Sequence, residues 1–162
     1  MILWYNYIRY GVIYIIRKIG LADRDSFIKM TKAFYNTDAV SSEISEENII
    51  NTFNQIVEDS PYVDGYFYTH KEKPIAYCLL SFTYSNEAGG LVMLIEELYV
   101  TKVYQGKKIG SKFLDFLENA YKDKIAGMPL EVVKPNIAAR NLYYKKGFKD
   151  LKYLQLVKKI DE

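Results

Sequence analysis

Residues 94–111 read LIEELYVTKVYQGKKIGS. The apolar and aromatic run over 91–101 is typical of a long strand, and an apolar stripe from about Lys107 to Lys122 predicts an amphipathic helix after it. Glycines at 106 and 110 allow the connecting backbone to approach a ligand closely. A strand, a glycine-bearing turn and a helix start aim backbone N–H groups and the positive end of the helix dipole at one point, which predicts a site for an anion such as a pyrophosphate.

Lysines supply positive charge around this turn. Lys102, Lys107, Lys108 and Lys112 follow one another with no acidic residue between them. The chain as a whole carries a net charge of only +2, but residues 1–100 hold 8 basic and 13 acidic side chains whereas residues 101–162 hold 14 and 7. The asymmetry predicts that the C-terminal part faces an anion and the N-terminal part a cation or water. The turn is neither a Walker loop nor a dinucleotide fingerprint.

A second motif, NIAARNLYYKKGF, covers residues 136–148. Asn136 can cap a helix, and Gly147 suits the left-handed position that ends one, with Phe148 packed behind it. Helical spacing places Asn136, Ala139 and Tyr143 on one face. Tyr143 is therefore a candidate functional phenol, with a half-buried core tyrosine as the alternative interpretation.

Hydrophobic periodicity divides the rest of the chain into alternating elements. We predict a first domain element at residue 12, preceded by an N-terminal extension over 1–11, and one domain over 12–162 without repeats or linkers. The predicted strands cover 12–18, 64–70, 75–84, 91–101, 130–134 and 148–158, and the predicted helices cover 23–36, 45–59, 107–122 and 137–146. The fold class is α/β.

Composition excludes several classes of protein. The 162 residues include one cysteine, Cys78, and one histidine, His70, so we expect no disulfide framework, a cytoplasmic location, no covalent nucleophile and no metal. The apolar stretch over 1–16 is too short to cross a bilayer, so we expect no membrane partner. The isoelectric point of 8.4 lies below the range of typical nucleic-acid-binding domains, so we expect no nucleic-acid partner.

Together the two motifs resemble those of the GNAT superfamily of acetyl-CoA-dependent N-acetyltransferases. The family's pyrophosphate pattern, Gln/Arg-x-x-Gly-x-Gly/Ala, is matched by Gln105 and Gly110. The later pattern, Asn-x-x-Ala-x-x-x-Tyr-x-x-x-Gly-Phe, is matched by Asn136, Ala139, Tyr143, Gly147 and Phe148. Lys108 stands where the family usually has its first motif glycine; a side chain is acceptable there if the backbone is helical.

The resemblance implies a mixed, mostly antiparallel sheet of about six to seven strands flanked by about four helices. It also implies direct transfer of an acetyl group from acetyl-CoA to the primary amine of a small cationic acceptor, with polyamine and small-amine acetyltransferases as the nearest type. The residues expected to contact acetyl-CoA are Leu98, Tyr99, Val100, Gln105, Gly106, Lys107, Lys108, Ile109, Gly110, Ser111, Asn136, Ala139 and Tyr143.

Two further roles follow from the resemblance. At neutral pH about one primary amine in two thousand is unprotonated, so the acceptor needs a base. By similarity to polyamine-type acetyltransferases we assign Glu96 as that base and Glu97 as a ligand for the cationic acceptor; Tyr143 would protonate the departing thiolate. Adjacent strand residues point to opposite faces unless a bulge intervenes, and we expect the base to be partly buried with a raised pKa.

Alternatives remain at this point. An acidic second helical region (Glu43, Glu46, Glu47, Glu58, Asp59 and Asp64) favours a small cationic acceptor, although a solvated surface explains the same charges. A protein or peptide amine acetyltransferase is one alternative function, and a non-catalytic acyl-CoA-binding module is another. We also expect a homodimer.

Overall fold

The computed structural model describes residues 5–9, 12–40, 42–158 and 160. Five strands form one antiparallel sheet in the order β1-β2-β3-β4-β5. The strands are β1 (Tyr5–Arg9), β2 (Val12–Lys18), β3 (Val63–His70), β4 (Lys73–Ser85) and β5 (Gly90–Val100), and the helices are α1 (Arg24–Tyr35), α2 (Glu46–Val57), α3 (Ile109–Tyr121) and α4 (Ile137–Lys145). The α/β class, the antiparallel sheet and the four helices are confirmed. The expected number of six to seven strands is wrong, because the sheet has five strands among the described residues.

Local sequence signals account for the ends of several elements. Ser45 caps α2, its side chain accepting a hydrogen bond from the Asn48 amide at 3.1 Å. The β3–β4 turn places Lys71 and Glu72 at φ values of 49° and 65°, the pair of positive φ angles that a tight hairpin turn uses. Asp23 precedes α1 as predicted, but its carboxylate pairs with Arg17 at 2.6 Å instead of capping the helix.

The sheet separates two apolar layers. One layer contains Phe27 of α1, Phe53 of α2 and Tyr77 of β4, all essentially inaccessible to solvent. The other contains Tyr68 of β3 together with Phe113 and Leu117 of α3. Because α1 and α2 cover one face and α3 covers the other, β3 and β4 contribute alternate residues to two cores. Among the described residues, no helix is long and apolar enough to cross a membrane.

Two predicted strands are absent. Over 130–134 the chain makes no strand; Gly127 and Leu130 form isolated parallel bridges with Val92 and Ile95 of β5, and the regular pairing ends there. The segment 148–158 also has no regular structure, and large apolar side chains within and after it are exposed, Leu154 by 84% and Val157 by 91%. Alternating hydrophobicity makes a strand only where a neighbouring edge supplies backbone partners, and no such edge pairs with either segment in the part of the chain described.

The N-terminal extension lies partly outside the described residues, which begin at Tyr5 and omit residues 10 and 11. Over Tyr5–Arg9 its backbone pairs antiparallel with β2, with Tyr5 opposite Ile16 and Arg9 opposite Val12. The extension therefore adds an edge strand to the sheet on the side away from β5.

Candidate active site

The outer edge of β5 is open over its second half. The amide of Thr101 donates to Ile75 of β4 at 3.0 Å, so strand alternation turns the N–H groups of Leu98 and Val100 away from β4. On that outer side, carbonyl groups of segment 126–130 accept hydrogen bonds from the amides of Met93 and Ile95. The chain then diverges from β5. Two strand amides consequently face a cleft in which an extended, amide-bearing ligand can bind as a further strand would.

The cleft ends at the glycine turn. Gln105 donates from its side-chain amide to the Val100 carbonyl at 3.0 Å, which ties the turn to the end of β5. Gly106 has a φ of 74°, a backbone conformation that suits glycine. No side chain caps α3, so the N–H groups of its first turn have no intrahelical partner and point outward. This arrangement fits a pyrophosphate.

Lys108 lies at the start of α3 with a φ of 62° and a ψ of 20°, in the left-handed region. The backbone at Lys108 is therefore left-handed and not helical, so the condition under which a side chain is acceptable there is not met. A lysine in this conformation is strained relative to the glycine of the family pattern. Its side chain is exposed, so its ammonium adds positive charge beside the uncapped N–H groups.

Replacing Lys108 by glycine is expected to raise the free energy of unfolding by about 1 kcal/mol, because glycine adopts positive φ without the steric cost. Chemical denaturation measures the change. Lys107→Gly is the matched control: the neighbouring position does not have a positive φ, so the same substitution should lower stability there. Equal effects at both positions would contradict the assignment of strain to Lys108.

The second motif glycine also lies at a close approach between two helices. A Cβ placed on Gly110 would approach Leu142 of α4 to 3.0 Å. The absence of a side chain at Gly110 thus allows α4 to pack closely on α3. Its neighbour Ile109 is 4% exposed and belongs to the core, so Ile109 can contact a ligand only through its backbone.

Helix α4 carries the predicted phenol. The Asn136 side chain accepts from the Ala139 amide at 3.2 Å and caps the helix, while Gly147, with a φ of 88°, ends it. The Phe148 amide donates to the Tyr143 carbonyl at 3.1 Å, and the two rings pack at 5.7 Å between centroids. The caps predicted from the motif are confirmed, and they set the orientation of Tyr143.

The Tyr143 side chain packs against the core on the α3 side of the sheet. Burial, with a smaller effect from the Cys78 thiol, raises its pKa to about 12, so the phenol is protonated at neutral pH. Cys78 is opposite Leu98 in the β4–β5 ladder, so the phenol lies on the α3 side of these two strands. The Cys78 thiol is fully buried and burial raises its pKa well above the usual range, so it is a core residue and no nucleophile.

A β-bulge brings the two carboxylates together. The register between β4 and β5 shifts where Leu79 is opposite Glu97 but Leu80 is opposite Ile95, which leaves Glu96 as the additional residue. Ser81 of β4 donates to Glu96 at 2.6 Å, and Tyr77 of β4 donates to Glu97 at 2.6 Å. Because Tyr77 and Ser81 are four residues apart on one strand, they share a face. Both carboxylates therefore lie on the α1–α2 side of the sheet.

The environments of the Glu96 and Glu97 carboxylates differ. Glu96 is exposed, whereas Glu97 is only 6% exposed. Burial raises the pKa of Glu97, the phenols of Tyr77 and Tyr35 counteract it, and the charge of Glu96 raises it further. The burial and the raised pKa expected of the base are observed at Glu97. No ion pair among the described residues includes Glu97.

Glu97→Gln is expected to stabilise the ligand-free protein at pH 8. Because burial raises the folded pKa above the unfolded one, the contribution of Glu97 to stability is present at low pH and is lost as the pH rises through the folded pKa. The gain in melting temperature should therefore shrink as the pH falls. Glu118→Gln, at an exposed position of α3, is the control, and an equal pH dependence there would contradict the argument.

A separate pocket of about 240 Å³ lies at the other end of α3, lined among others by Lys18, Asp59 and Tyr121. Its half-buried acid, Asp64, accepts from Tyr121 at 2.8 Å and pairs with Lys18 at 3.2 Å. These groups are satisfied within the protein and lie apart from the β5 cleft. Within the residues that the structure describes, no group of three or more His, Cys, Asp or Glu could hold a metal ion.

A comparison with known protein families identifies the family of this chain. The model of the acetyltransferase (GNAT) family matches residues 28–148. The chain belongs to this family. It is therefore an acetyltransferase that uses acetyl-CoA, and the matched range spans the bulge, the glycine turn and α4. The GNAT resemblance seen in the two motifs is confirmed. The match concerns the family as a whole and does not specify a polyamine-type acceptor.

Solved structures share the fold. A possible acetyltransferase from Clostridium difficile 630 is 22% identical with a TM-score of 0.77, covering 92% of this chain and 99% of its own. An aminoglycoside N-acetyltransferase in complex with CoA is 11% identical with a TM-score of 0.76, covering 94% and 99%. A ribosomal-protein-alanine N-acetyltransferase from Brucella melitensis biovar Abortus 2308 is 11% identical with a TM-score of 0.72, covering 91% and 99%. No curated protein matches the chain in sequence.

Two residues of the site were not predicted from the sequence. Tyr35 at the end of α1 and Tyr77 in the middle of β4 converge on Glu97. Sixteen tyrosines in the chain make each one unremarkable by itself. Their contact with Glu97 depends on the β-bulge and on the packing of α1 against the sheet. Neither feature can be recognised from the neighbouring residues in the sequence.

Proposed function

We propose that this acetyltransferase acetylates the primary amine of a small cationic acceptor. The observation that carries the proposal is the pair of carboxylates, Glu96 and Glu97, that the bulge places on one side of the sheet near the open edge of β5. Glu97 is a buried acid without a protein cation among the described ion pairs. An ammonium group supplied by the acceptor would provide the missing positive charge.

The thioester substrate would bind on the opposite side of the strand. The uncapped start of α3, with backbone N–H groups over Ile109–Ser111 and the charges of Lys107 and Lys108, would hold the pyrophosphate. The N–H groups of Leu98 and Val100 would bind the pantetheine arm and polarise the acetyl carbonyl. Tyr99 contributes backbone there, and Asn136 and Ala139 form the α4 wall.

Proton transfer completes the proposed reaction. Glu96, which is exposed and can exchange protons with water, accepts the proton of the acceptor ammonium. The free nitrogen lone pair forms the new C–N bond to the acetyl carbon as the C–S bond breaks. The nitrogen loses its second proton to water, and Tyr143 donates one to the departing sulfur and regains it from solvent. The products are the N-acetylated amine, CoA with a free thiol, and one proton released overall.

Thiol release from acetyl-CoA tests the proposal. A panel of monoamines, diamines and aminoglycosides is compared with peptides that present an α-amine or a lysine. We expect turnover with small cationic amines that exceeds peptide turnover at least tenfold in kcat/KM. Faster turnover of peptides would make the protein-amine alternative correct, and thermal protection by acetyl-CoA without turnover of any amine would identify an acyl-CoA-binding module.

We also propose a cytoplasmic homodimer. A single cysteine, buried in the core, suits a reducing compartment. Apolar side chains over 151–160, among them Leu151, Leu154 and Ile160 at 73%, 84% and 83% exposure, form a surface that a second copy can cover. Light scattering should give about twice the chain mass. A monomer at micromolar concentration would rule this assembly out.

A further inference from the structure

Glu97 is held by neutral donors from two different elements. The Tyr77 hydroxyl, on the neighbouring strand β4, donates to its Oε2 at 2.6 Å. The Tyr35 hydroxyl interacts with the same carboxylate from the last residue of α1. Tyr77 is completely buried, whereas Tyr35 is half-buried.

Phenols have a particular consequence for a buried acid. A lysine or arginine in their place would neutralise the carboxylate, whereas a neutral O–H stabilises the ionised form and leaves its negative charge available. The titratable groups that act on Glu97 are Tyr77 from β4, Tyr35 from α1 and Glu96 from β5; the two phenols favour its charged form, and Glu96 opposes it. Cys78, on β4, carries a neutral thiol.

We infer that Tyr35 and Tyr77 are positioning residues that keep the Glu97 carboxylate oriented and ionised so that it binds the ammonium of the acceptor. The inference rests on the proposed function, and it assigns to α1 a part in acceptor recognition. Neither phenol touches the reacting atoms. Both act through Glu97.

The first test measures the pKa of Glu97 directly, by NMR titration of its side-chain carbon in ligand-free protein. Tyr77→Phe and Tyr35→Phe should each raise that pKa, because each removes a donor that favours the charged form. Tyr66→Phe is the matched control, since Tyr66 is equally buried and also donates to a carboxylate, Asp64 at 3.1 Å, on the other face of the sheet. An unchanged Glu97 pKa in Tyr77→Phe would overturn the inference.

The second test uses steady-state kinetics with 1,4-diaminobutane or whichever panel amine is acetylated. At pH 6.5 each Phe variant should raise the acceptor KM about tenfold while kcat and the KM for acetyl-CoA change less than twofold. The KM effect should fade as the pH rises, because a carboxylate with a raised pKa ionises more completely at higher pH. A merely structural role would lower kcat at every pH, and Tyr66→Phe should leave these constants near their wild-type values.

The two tests separate the possible failures. A raised Glu97 pKa with an unchanged acceptor KM would overturn the role in acceptor binding and leave the proposed function intact. If wild-type protein acetylates no amine, the proposed function fails, and calorimetric titration with 1,4-diaminobutane decides the inference: weaker binding by Tyr77→Phe than by Tyr66→Phe supports it, and equal or absent binding overturns it.

Discussion

Glu96→Gln is expected to lower kcat/KM for the acceptor about 100-fold at pH 7, the usual contribution of a positioned general base. The variant must draw on the small fraction of amine that is already neutral, about one molecule in two thousand at this pH. That fraction grows about tenfold with each pH unit below the amine pKa. The deficit should therefore shrink as the pH rises to 9, and a pH–rate series measures it.

Glu97→Gln is the comparison variant because its carboxylate lies on the same side of the sheet. It should raise the acceptor KM and preserve most of kcat. If instead Glu97→Gln removes the low-pH limb of the rate profile and Glu96→Gln does not, the two roles must be exchanged. That outcome would assign proton transfer to the buried acid with the raised pKa.

Tyr143→Phe should lower kcat by roughly 10- to 1,000-fold, with acetyl-CoA affinity nearly unchanged. The phenol, with a pKa of about 12, can donate a proton to the sulfur at neutral pH. Thiols have a pKa near 8.5, so above about pH 9 the thiolate leaves without protonation and the deficit should narrow. Single-turnover thiol release at pH 6.5 and 9.5 measures the difference.

Tyr144→Phe provides the matched control. This adjacent tyrosine is 42% exposed, and its hydroxyl donates to Asp150 at 2.8 Å on the outer surface of α4. We expect turnover within twofold of wild type. Normal turnover in Tyr143→Phe would remove that residue from catalysis, and an equal loss in both variants would point to disruption of α4 instead.

Predictions that rest on local signals agree closely with the structure. The strand over 12–18 and the helix beginning after Asn136 were predictable because their boundary signals, a run of β-branched residues and an N-cap, act within a few residues. The segments 130–134 and 148–158 have equally strong strand patterns. A strand also requires a partner edge, and that requirement depends on parts of the chain far away in sequence.

The residues of the candidate site also fall into two groups, those that local sequence signals predict and those that depend on distant parts of the chain. The turn proposed to bind phosphate and the candidate phenol are carried by short motifs, so Gly106, Lys107 and Tyr143 could be selected as candidates from the sequence. The left-handed backbone at Lys108, with a φ of 62°, could not be predicted because it is set by the junction between strand and helix. Glu97 was selected, but its burial beneath α1 and its two phenol partners were not foreseeable from its neighbours in sequence.

Residue types at fixed short spacings made the four helices, the acetyltransferase motifs and the positive charge at the start of α3 predictable. That Glu96 and Glu97 share a side, with one exposed and the other buried, depends instead on tertiary contacts. The cause is the register of β5 against β4. One additional residue at the bulge rotates Glu96 and Glu97 onto the same face, and the packing of α1 then excludes water from Glu97 alone.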